Sequence, residues 1–224
     1  MCGRFTLRAP AERVKREFRL EEAPSVEARY NIAPTQSVLA VRRASDEREA
    51  VTLRWGLIPS WAKDGSMGAK LINARSETVE EKPSFREAFK RRRCIIPADG
   101  FYEWQRTGGR KQPYYFRLKD DRLFGFAGLW ETWRTAEGES LETCSILTTE
   151  ANEVLSTAHD RMPVILRPET YDLWLEDDER LQELRKELLR PYPASEMTAY
   201  PVSASVNSPQ HQGEELVRPI QGRH

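Results

Sequence analysis

Short apolar runs with the composition of β-strands recur along most of this chain, and they constrain its fold more than any other feature. They are rich in β-branched and aromatic residues and are bounded by polar or Gly- and Pro-containing turns. The runs are Ser37–Val41, Val51–Leu57, Phe101–Gln105, Tyr114–Leu118, Leu123–Trp130 and Thr143–Thr148, with a later candidate at Val202–Val206. Their irregular spacing, with helices inserted between them, favours a mixed α+β domain over repeated βαβ units.

Helices are predicted between and after these strands. The predicted segments are Ala11–Phe18, Lys82–Arg93 (beginning near Pro83), Asn152–His159, Pro168–Leu175 and Asp178–Leu189. Val14 and Phe18 in the first segment, like Phe85 and Phe89 in the second, are four residues apart and therefore share one helix face. The sequence is polar from about Ser208, and we expect a C-terminal tail there with partial mobility.

Length and charge exclude several classes of protein. A chain of 224 residues is long enough to bury a substantial core. Its 35 basic and 35 acidic side chains cancel, which argues against a histone-like protein but leaves room for a local basic groove. No apolar segment approaches the roughly 18 residues of a membrane span, and the N-terminus lacks the apolar run of a signal peptide. We therefore expect a cytoplasmic protein without membrane association.

The cysteines and histidines give no sign of a metal site. No CxxC spacing relates the three cysteines, Cys2, Cys94 and Cys144. No pair at helical spacing occurs among the three histidines, His159, His211 and His224. An odd number of cysteines without a secretion signal is typical of reduced thiols. Cys94 and Cys144 lie in apolar strands, so we interpret them as buried, unreactive thiols. Neither a G-x-G-x-x-G nor a P-loop motif is present, and no cofactor is predicted.

Cys2 carries a distinctive chemical possibility. Removal of Met1 would leave an α-amine and a thiol on adjacent carbons. Their ordinary pKa values, roughly 7.7–8.0 and roughly 8.5, make both groups partly nucleophilic near neutral pH. The amine of such a 1,2-aminothiol adds to an aldehyde to give an imine, and the sulfur then closes a five-membered thiazolidine ring. The alternative is that Cys2 merely follows the initiator and has no chemical role.

An ordered series of short motifs accompanies Cys2. The series is Arg4, Asn31-Ile-Ala-Pro34, Trp55-Gly-Leu-Ile-Pro-Ser-Trp61, Asn73-Ala-Arg75-Ser-Glu77-Thr, Pro97-Ala-Asp-Gly-Phe-Tyr-Glu103-Trp, His159-Asp-Arg161-Met-Pro163 and Val202-Ser-x-x-Val-Asn207. In this order it resembles the SOS response-associated peptidase (SRAP) family, from Cys2 to about Ile220. The resemblance implies one α+β domain over residues 1–224, with a strongly curved, barrel-like antiparallel sheet core and peripheral helices.

The resemblance also implies a function. A chain of this family would sense abasic sites in single-stranded DNA and form a covalent thiazolidine crosslink through Cys2, shielding the lesion. The family name implies autoproteolytic release of residues ahead of the cysteine, and a lyase-type activity is a further expectation. The implied partner is single-stranded DNA containing abasic sites, so the protein would join the nucleoid when bound. No replication-fork partner can be named from the residues.

The family's active-site Asn, Glu and His correspond here to Asn73, Glu103 and His159. Asn73 cannot titrate and suits orientation of the amine or the sugar. Glu103 lies in an apolar strand, where burial would raise its pKa toward a range useful for proton transfer. His159 titrates near neutrality and suits proton shuttling. The alternatives are a turn or cap residue for Asn73, an outward strand residue for Glu103 and a helix-terminal residue for His159.

The DNA contacts expected from the same motifs are Arg4, Arg75, Pro34 and Trp61. A guanidinium binds phosphate oxygens in a bidentate fork, and exposed rings stack on bases. Some family members carry a second tryptophan after the one matching Trp61; here that position is Ala62. Trp55 and Trp104 are expected in the core. The basic run Lys90-Arg-Arg-Arg93 is either an extension of the DNA groove or a solvated helix face.

Two other functions remain open at this stage. A non-covalent reader of damaged or modified DNA would keep the basic groove and would not need Cys2. An amidohydrolase with an N-terminal Cys nucleophile would need an oxyanion hole, whereas Arg4 and Arg75 fit phosphate better than an amide.

Overall fold

The computed structural model describes residues 2–135, 137–176, 184 and 187–220. In this part of the chain the strands are β1 (Phe5–Leu7), β2 (Arg29–Ile32), β3 (Ser37–Ala44), β4 (Glu47–Trp55), β5 (Asn73–Arg75), β6 (Arg93–Ala98), β7 (Gly100–Thr107), β8 (Arg110–Leu118), β9 (Phe124–Arg134), β10 (Ser140–Glu150), β11 (Arg161–Pro163), β12 (Ile165–Leu166) and β13 (Met197–Pro201). The α-helices are α1 (Ala11–Phe18), α2 (Arg86–Arg91), α3 (Glu153–Ser156) and α4 (Tyr171–Leu175), and 3-10 helices lie at Gly65–Lys70, Pro168–Thr170, Ala194–Glu196, Ala204–Asn207 and Glu214–Val217. None of the helices in the described ranges has the length and apolarity needed to cross a membrane.

Five strands close into a barrel. They pair in the order β10–β4–β3–β6–β9, and β9 pairs back with β10. The pairs are antiparallel except for β10–β4, where Thr143 and Cys144 lie parallel to Arg54 and Trp55. Outside the ring, β11 and β5 pair with β10, and β12 pairs with β9. The expected α+β domain with a barrel-like sheet core is confirmed.

A second sheet carries the amino-terminal strand. Its order is β13–β8–β7–β1–β2, and all of its pairs are antiparallel. The buried carboxylate of Asp99 holds β1 in place, because it accepts hydrogen bonds from Thr6 Oγ1 (2.5 Å) and from the backbone N–H of Arg8 (2.6 Å). Thr6 Oγ1 also lies 2.8 Å from the Tyr115 hydroxyl of β8. These bonds fix the strand that leads back to Cys2.

The core is strongly aromatic. Trp55 and Trp174 are fully buried, and Phe18 of α1 stacks on Tyr171 of α4 with ring centroids 5.3 Å apart. A smaller apolar cluster lies beneath the second sheet and contains Tyr102, Tyr115, Val202, Val206 and Leu216. Residues of the expected polar tail therefore contribute to a core, since the Leu216 side chain is fully buried there.

Several predicted elements have different limits in the structure. α1 has the predicted bounds. α2 is shorter than predicted because residues 83–85 form turns and Arg93 begins β6, and α3 is shorter because residues 157–158 form a turn. The predicted strand Val202–Val206 is wrong: Val202 makes one bridge to Pro219, and a 3-10 helix follows, begun by Ser203 Oγ accepting from the Ser205 N–H. Most of the predicted helix Asp178–Leu189 lies outside the described residues.

The basic run at the end of α2 is not one surface. Arg93 is only 5% exposed, and its guanidinium donates to the carbonyl oxygens of Trp174 (2.7 Å), Phe89 (2.7 Å) and Glu176. It therefore ties α2 to the end of α4. Arg93 was expected either in a DNA groove or on a solvated helix face, and both expectations are wrong. Its guanidinium is buried because backbone carbonyl oxygens at a helix end accept its hydrogen bonds.

Gly100 allows β7 and β8 to approach closely. A Cβ atom at this position would lie 2.0 Å from the Tyr115 hydroxyl oxygen, within a side chain that is fully buried. We predict that Gly100→Ala lowers the free energy of unfolding by roughly 1–3 kcal/mol through overpacking. Chemical denaturation followed by tryptophan fluorescence measures the change.

Gly65→Ala is the matched control for this substitution. Its Cβ would have the Ile58 Cδ1 atom as nearest neighbour at 3.6 Å, an ordinary van der Waals contact. We expect its stability to equal or slightly exceed that of the parent, because alanine restricts the unfolded chain. Equal denaturation midpoints for the two variants would contradict the packing argument at Gly100.

Candidate functional site

The segment before β1 brings Cys2 to the junction of the two sheets. Phe5 pairs with Phe101, Thr6 pairs with Gly100, and the Tyr102 N–H donates to the Arg4 carbonyl oxygen at 2.9 Å. This antiparallel register, continued toward the amino terminus, places residues 2 and 3 beside Glu103. Cys2 is fully buried there.

Asn73 reaches Cys2 from the other sheet. The parallel pairing of β5 with β10 sets Asn73 opposite Ile146. Its side-chain Nδ2 donates a hydrogen bond to the Cys2 carbonyl oxygen at 2.8 Å. Its Oδ1 is buried and accepts no hydrogen bond from any described residue. Asn73 thus fixes the Cys2 backbone and retains one acceptor in a buried position.

Glu103 is a buried carboxyl group on β7. Only 3% of the residue is exposed. Burial raises the pKa of Glu103 to about 7, although the positive charge of the amino terminus opposes the shift. The side chain is therefore close to half-protonated at neutral pH, the condition in which a carboxyl group can both give and take protons.

The surroundings of the Cys2 thiol oppose the partial ionisation that its ordinary pKa suggests. Burial raises the pKa of the thiol far above its usual range, and the negative charge of Glu103 adds to the shift. The expectation of a partly ionised thiol concerned Cys2 after removal of Met1 and stays a prediction for that form, whereas burial favours the neutral thiol in this environment. The sulfur is a neutral S–H group that needs a nearby proton acceptor before it can react.

His159 follows α3, whose first turn is capped by Asn152 Oδ1 accepting from the Leu155 N–H at 3.0 Å. Desolvation lowers the pKa of His159. Its Nδ1 accepts from the Arg161 N–H at 2.9 Å, which requires the neutral ring with its proton on Nε2. The same Nδ1 lies 2.8 Å from Asp160 Oδ1, a contact that is favourable only when Nδ1 carries a proton. The lowered pKa supports the neutral form.

Glu103 and His159 meet at an open cavity of about 470 Å³. A hydrogen bond from Gln105 Nε2 on β7 to the Thr157 carbonyl oxygen (3.0 Å) holds the loop that carries His159 against this strand. The lining residues are Glu103, Trp104, Arg106, Lys111, His159 and Asn207. A buried acid and a neutral imidazole thus face one solvent-accessible space beside Cys2. Among the described residues, no cluster of three or more His, Cys, Asp or Glu side chains suits a metal ion.

Comparison with known proteins decides the family. A family model described as SOS response associated peptidase (SRAP) matches residues 1–209. The chain belongs to the SRAP family. It is 47% identical over 221 residues to the abasic site processing protein YoqW of Bacillus subtilis (strain 168), covering 97% of this chain and 99% of that protein. It is 36% identical to the abasic site processing protein HMCES of Gallus gallus, covering 86% of this chain and 66% of that protein.

Solved structures show the same SRAP fold. A crystal structure of a protein from Bacteroides thetaiotaomicron superposes with a TM-score of 0.88 at 29% identity, covering 98% of this chain and all (100%) of that one. A second, from Bordetella bronchiseptica, gives a TM-score of 0.78 at 32% identity, covering 90% of this chain and 100% of that one. The family resemblance inferred from the motifs is confirmed.

Arg4 lies within this SRAP site in a partly buried position. Its Nη1 donates to Asn31 Oδ1 and to the Val206 carbonyl oxygen, each at 2.7 Å, and its guanidinium carbon lies 5.8 Å from the centroid of the Trp104 ring. Trp104 was expected in the core. Instead it is half-buried, lines the cavity and donates from Nε1 to Asn207 Oδ1 at 2.7 Å. Trp55 is buried as expected.

The other expected DNA contacts lie outside this cluster. Arg75 is exposed and, two residues after Asn73 on β5, projects to the same side of the strand. Pro34 is half-buried in the turn before β3, and Trp61 is 58% exposed. No hydrogen bond or ring contact between described residues joins Pro34 or Trp61 to the four expected catalytic residues.

Two site residues escaped the sequence analysis. Asn31 is fully buried and donates from Nδ2 to the carbonyl oxygens of Ser208 and His211, each at 2.9 Å, while it accepts from Arg4. Asn207 orients Trp104. Both residues occur within the motifs that were recognised, but their roles depend on contacts more than 100 residues apart in the sequence, which spacing alone cannot show.

The raised pKa of Glu103 predicts how stability changes with pH. The folded protein retains the proton of Glu103 up to about pH 7, whereas an unfolded chain releases it near the ordinary pKa of 4.5. Glu103 therefore contributes stability that is present below the lower pKa and is lost as the pH rises through the higher one. We predict that Glu103→Gln gains roughly 1–3 kcal/mol relative to the parent between pH 4.5 and pH 8.

Denaturant unfolding at several pH values measures this difference. Contributions from other titrating groups largely cancel, since both proteins contain them. Glu139→Gln, at an exposed carboxyl group, controls for general loss of a negative charge. A difference between Glu103→Gln and the parent that stays constant across this pH range would mean that Glu103 titrates normally.

Proposed function

We propose that this protein processes abasic sites in single-stranded DNA by forming a covalent thiazolidine crosslink through Cys2, after removal of Met1. The observation that carries the proposal is the convergence of a buried Cys2, hydrogen-bonded by Asn73, with a carboxyl group of pKa about 7 at Glu103. Relatives named abasic site processing proteins support the choice of lesion.

Glu103 and His159 each carry out some of the proton transfers of this reaction. Glu103 in its protonated form gives a proton to the ring oxygen of the closed abasic sugar as the bond from that oxygen to C1′ breaks. The neutral His159 accepts the proton of the C1′ hydroxyl, and the aldehyde forms. The Cys2 α-amine then adds to the aldehyde carbon, and the aldehyde oxygen leaves as water with one proton from the amine and one that His159 returns. The nitrogen keeps its second proton, so the product of this stage is a protonated imine.

Ring closure uses the thiol. The carboxylate of Glu103, now deprotonated, accepts the proton of the Cys2 S–H group, and the sulfur adds to the imine carbon. The nitrogen of the protonated imine thereby becomes the secondary amine of the thiazolidine, without taking up another proton. The overall change converts an aldehyde and an aminothiol into a thiazolidine and one water molecule. Asn73 holds the Cys2 carbonyl, which keeps both nucleophiles in place during the two stages.

The cations at the site support a DNA substrate. No carboxylate among the described residues forms an ion pair with Arg4 or Arg75, so both charges are available to phosphate oxygens. Partial burial already lowers the pKa of Arg4, and an anion beside it would offset that cost. The exposed Trp61 and half-buried Pro34 provide surfaces for stacking of unpaired bases.

The family name also suggests peptidase chemistry. Autoproteolysis of the Met1–Cys2 bond and removal of Met1 by a methionine aminopeptidase would give the same product. A hydrolase or lyase activity toward other substrates rests on family membership alone.

Substitution of Cys2 tests the covalent step. We predict that Cys2→Ala abolishes the DNA adduct that survives boiling in denaturant, while reversible binding of the same oligonucleotide remains. Cys2→Ser retains the amine, so it should give an imine that borohydride can trap but no stable ring. A denaturing gel of a labelled abasic oligonucleotide measures all three proteins.

Intact mass is the control for this experiment, because ring closure needs the amine and thiol on one residue. The reactive protein should lack one methionine. An undiminished adduct from Cys2→Ala, or from protein that retains Met1, would exclude the aminothiol mechanism. Binding without any adduct in the parent would favour the non-covalent reader.

The form of the DNA provides a separate test. In a duplex, stacked neighbours and the opposite strand restrict access to the abasic sugar. We predict that an abasic single strand reacts at least about tenfold faster than the same strand annealed to its complement, and that raising the salt concentration weakens binding. Arg75→Ala should weaken binding on all sequences alike. Equal rates on the two DNA forms would show that the site does not select single strands.

A further inference from the structure

Two cations face each other across a hairpin beside the site. Arg106 of β7 pairs directly with Lys111 of β8 in the antiparallel register. Both are exposed, and both line the cavity that contains Glu103 and His159. Like charges directly opposite on neighbouring strands are destabilising. Neither cation has an ion-pair partner among the described residues, so both charges remain available to a ligand.

A third donor reaches the same cavity from the C-terminal segment. The indole N–H of Trp104 can only donate, so its 2.7 Å bond to Asn207 fixes the amide with Oδ1 toward the ring. The Nδ2 group of Asn207 is thereby turned away from Trp104, and it makes no hydrogen bond to another described residue. Asn207 lines the cavity, and its two free N–H groups are available to an acceptor there.

These three side chains specify the chemistry of a ligand. Arg106, Lys111 and the oriented Asn207 amide supply only donors, and two of the three carry positive charge. An arginine fork, a lysine point charge and an amide together suit an anion with several oxygen acceptors. Arg106 and Lys111 line the same cavity as Glu103 and His159, so an anion bound by these cations would lie next to the reacting groups.

We propose that Arg106, Lys111 and Asn207 form a subsite for one backbone phosphodiester adjacent to the abasic sugar. The inference rests on the proposed function, since it takes the sugar beside Glu103 and His159 as its reference point. A phosphate directly attached to that sugar would place its oxygens within the same cavity, where its negative charge would lie between the two cations. This subsite would fix which way the DNA strand leaves the cavity.

Neutral substitutions in the hairpin test the subsite. The variants are Arg106→Gln, Lys111→Gln and the double substitution, with Arg110→Gln as matched control. Arg110 is an exposed residue of β8 that does not line the cavity. The measurement is the DNA concentration that gives half the maximal rate of adduct formation with an abasic single strand. We expect a roughly three- to tenfold increase for each single variant, a larger increase for the double variant and no increase for Arg110→Gln.

Salt dependence and a modified substrate make the test specific to phosphate. Loss of one phosphate contact should reduce the slope of log affinity against log salt by roughly 0.7 in the double variant. A neutral methylphosphonate, introduced at one position at a time, should weaken binding by the parent at a single flanking position. At that position it should not weaken the double variant further, because the contact is already lost.

Three results would overturn the subsite. The first is equal half-saturating concentrations for the double variant and Arg110→Gln. The second is a methylphosphonate effect of the same size in the parent and the double variant. The third is competition by inorganic phosphate that disappears in the double variant, while methylphosphonate at no position of the DNA weakens binding by the parent. That combination would mean that the site binds a free anion.

Absence of any adduct in the parent would instead refute the covalent function. In that case, fluorescence anisotropy with the same oligonucleotides measures equilibrium binding and applies the same criteria to the subsite. Thermal unfolding verifies that each variant is folded.

Discussion

The rest of the site depends on burial of the chain's amino-terminal segment between two sheets. The Tyr102 N–H holds the Arg4 carbonyl from the second sheet, and Asn73 holds the Cys2 carbonyl from a strand attached to the barrel. Each bond fixes one side of a segment that would otherwise be a mobile terminus. Cys2 consequently reaches Glu103 without a loop of its own, and the distance between the sheets determines the geometry of the site.

The motifs that run in series along the chain are hydrogen-bond partners in space. Arg4 contacts Asn31, and Asn31 in turn binds the carbonyls that follow Val206. Arg161 forms a bidentate ion pair with Glu77, with N–O distances of 2.6 and 2.8 Å. This ion pair joins the turn that follows β5, the strand that carries Asn73, to β11, the strand that follows His159. The motifs therefore form one connected network, which explains why they are found together around a single site.

Local sequence patterns predicted what depends on neighbouring residues. The bounds of α1 followed from apolar periodicity, because the helix buries one face. The positions of the long strands followed from continuous apolar runs, because successive central residues of β9 and β10 are buried. The parallel β10–β4 junction that closes the barrel could not be predicted, since it joins residues about 90 positions apart. Arg93 and Trp104 were misplaced for a related reason: a buried set of carbonyl acceptors and a partner amide came from distant segments. Val202–Val206 has strand composition, but a serine cap begins a 3-10 helix within it.

Burial has opposite consequences for the two groups that the proposed reaction requires. It raises the pKa of the Cys2 thiol so far that the resting sulfur is neutral, and it raises that of Glu103 only to about 7. A neutral thiol is a poor target for oxidants, because the thiolate is the reactive species. Glu103 remains able to accept a proton at neutral pH, and its ionised form is the acceptor that ring closure needs. Reactivity would therefore arise only when an imine carbon lies beside the sulfur and the carboxylate removes its proton, so the same burial that protects the resting nucleophile couples its activation to the presence of the lesion.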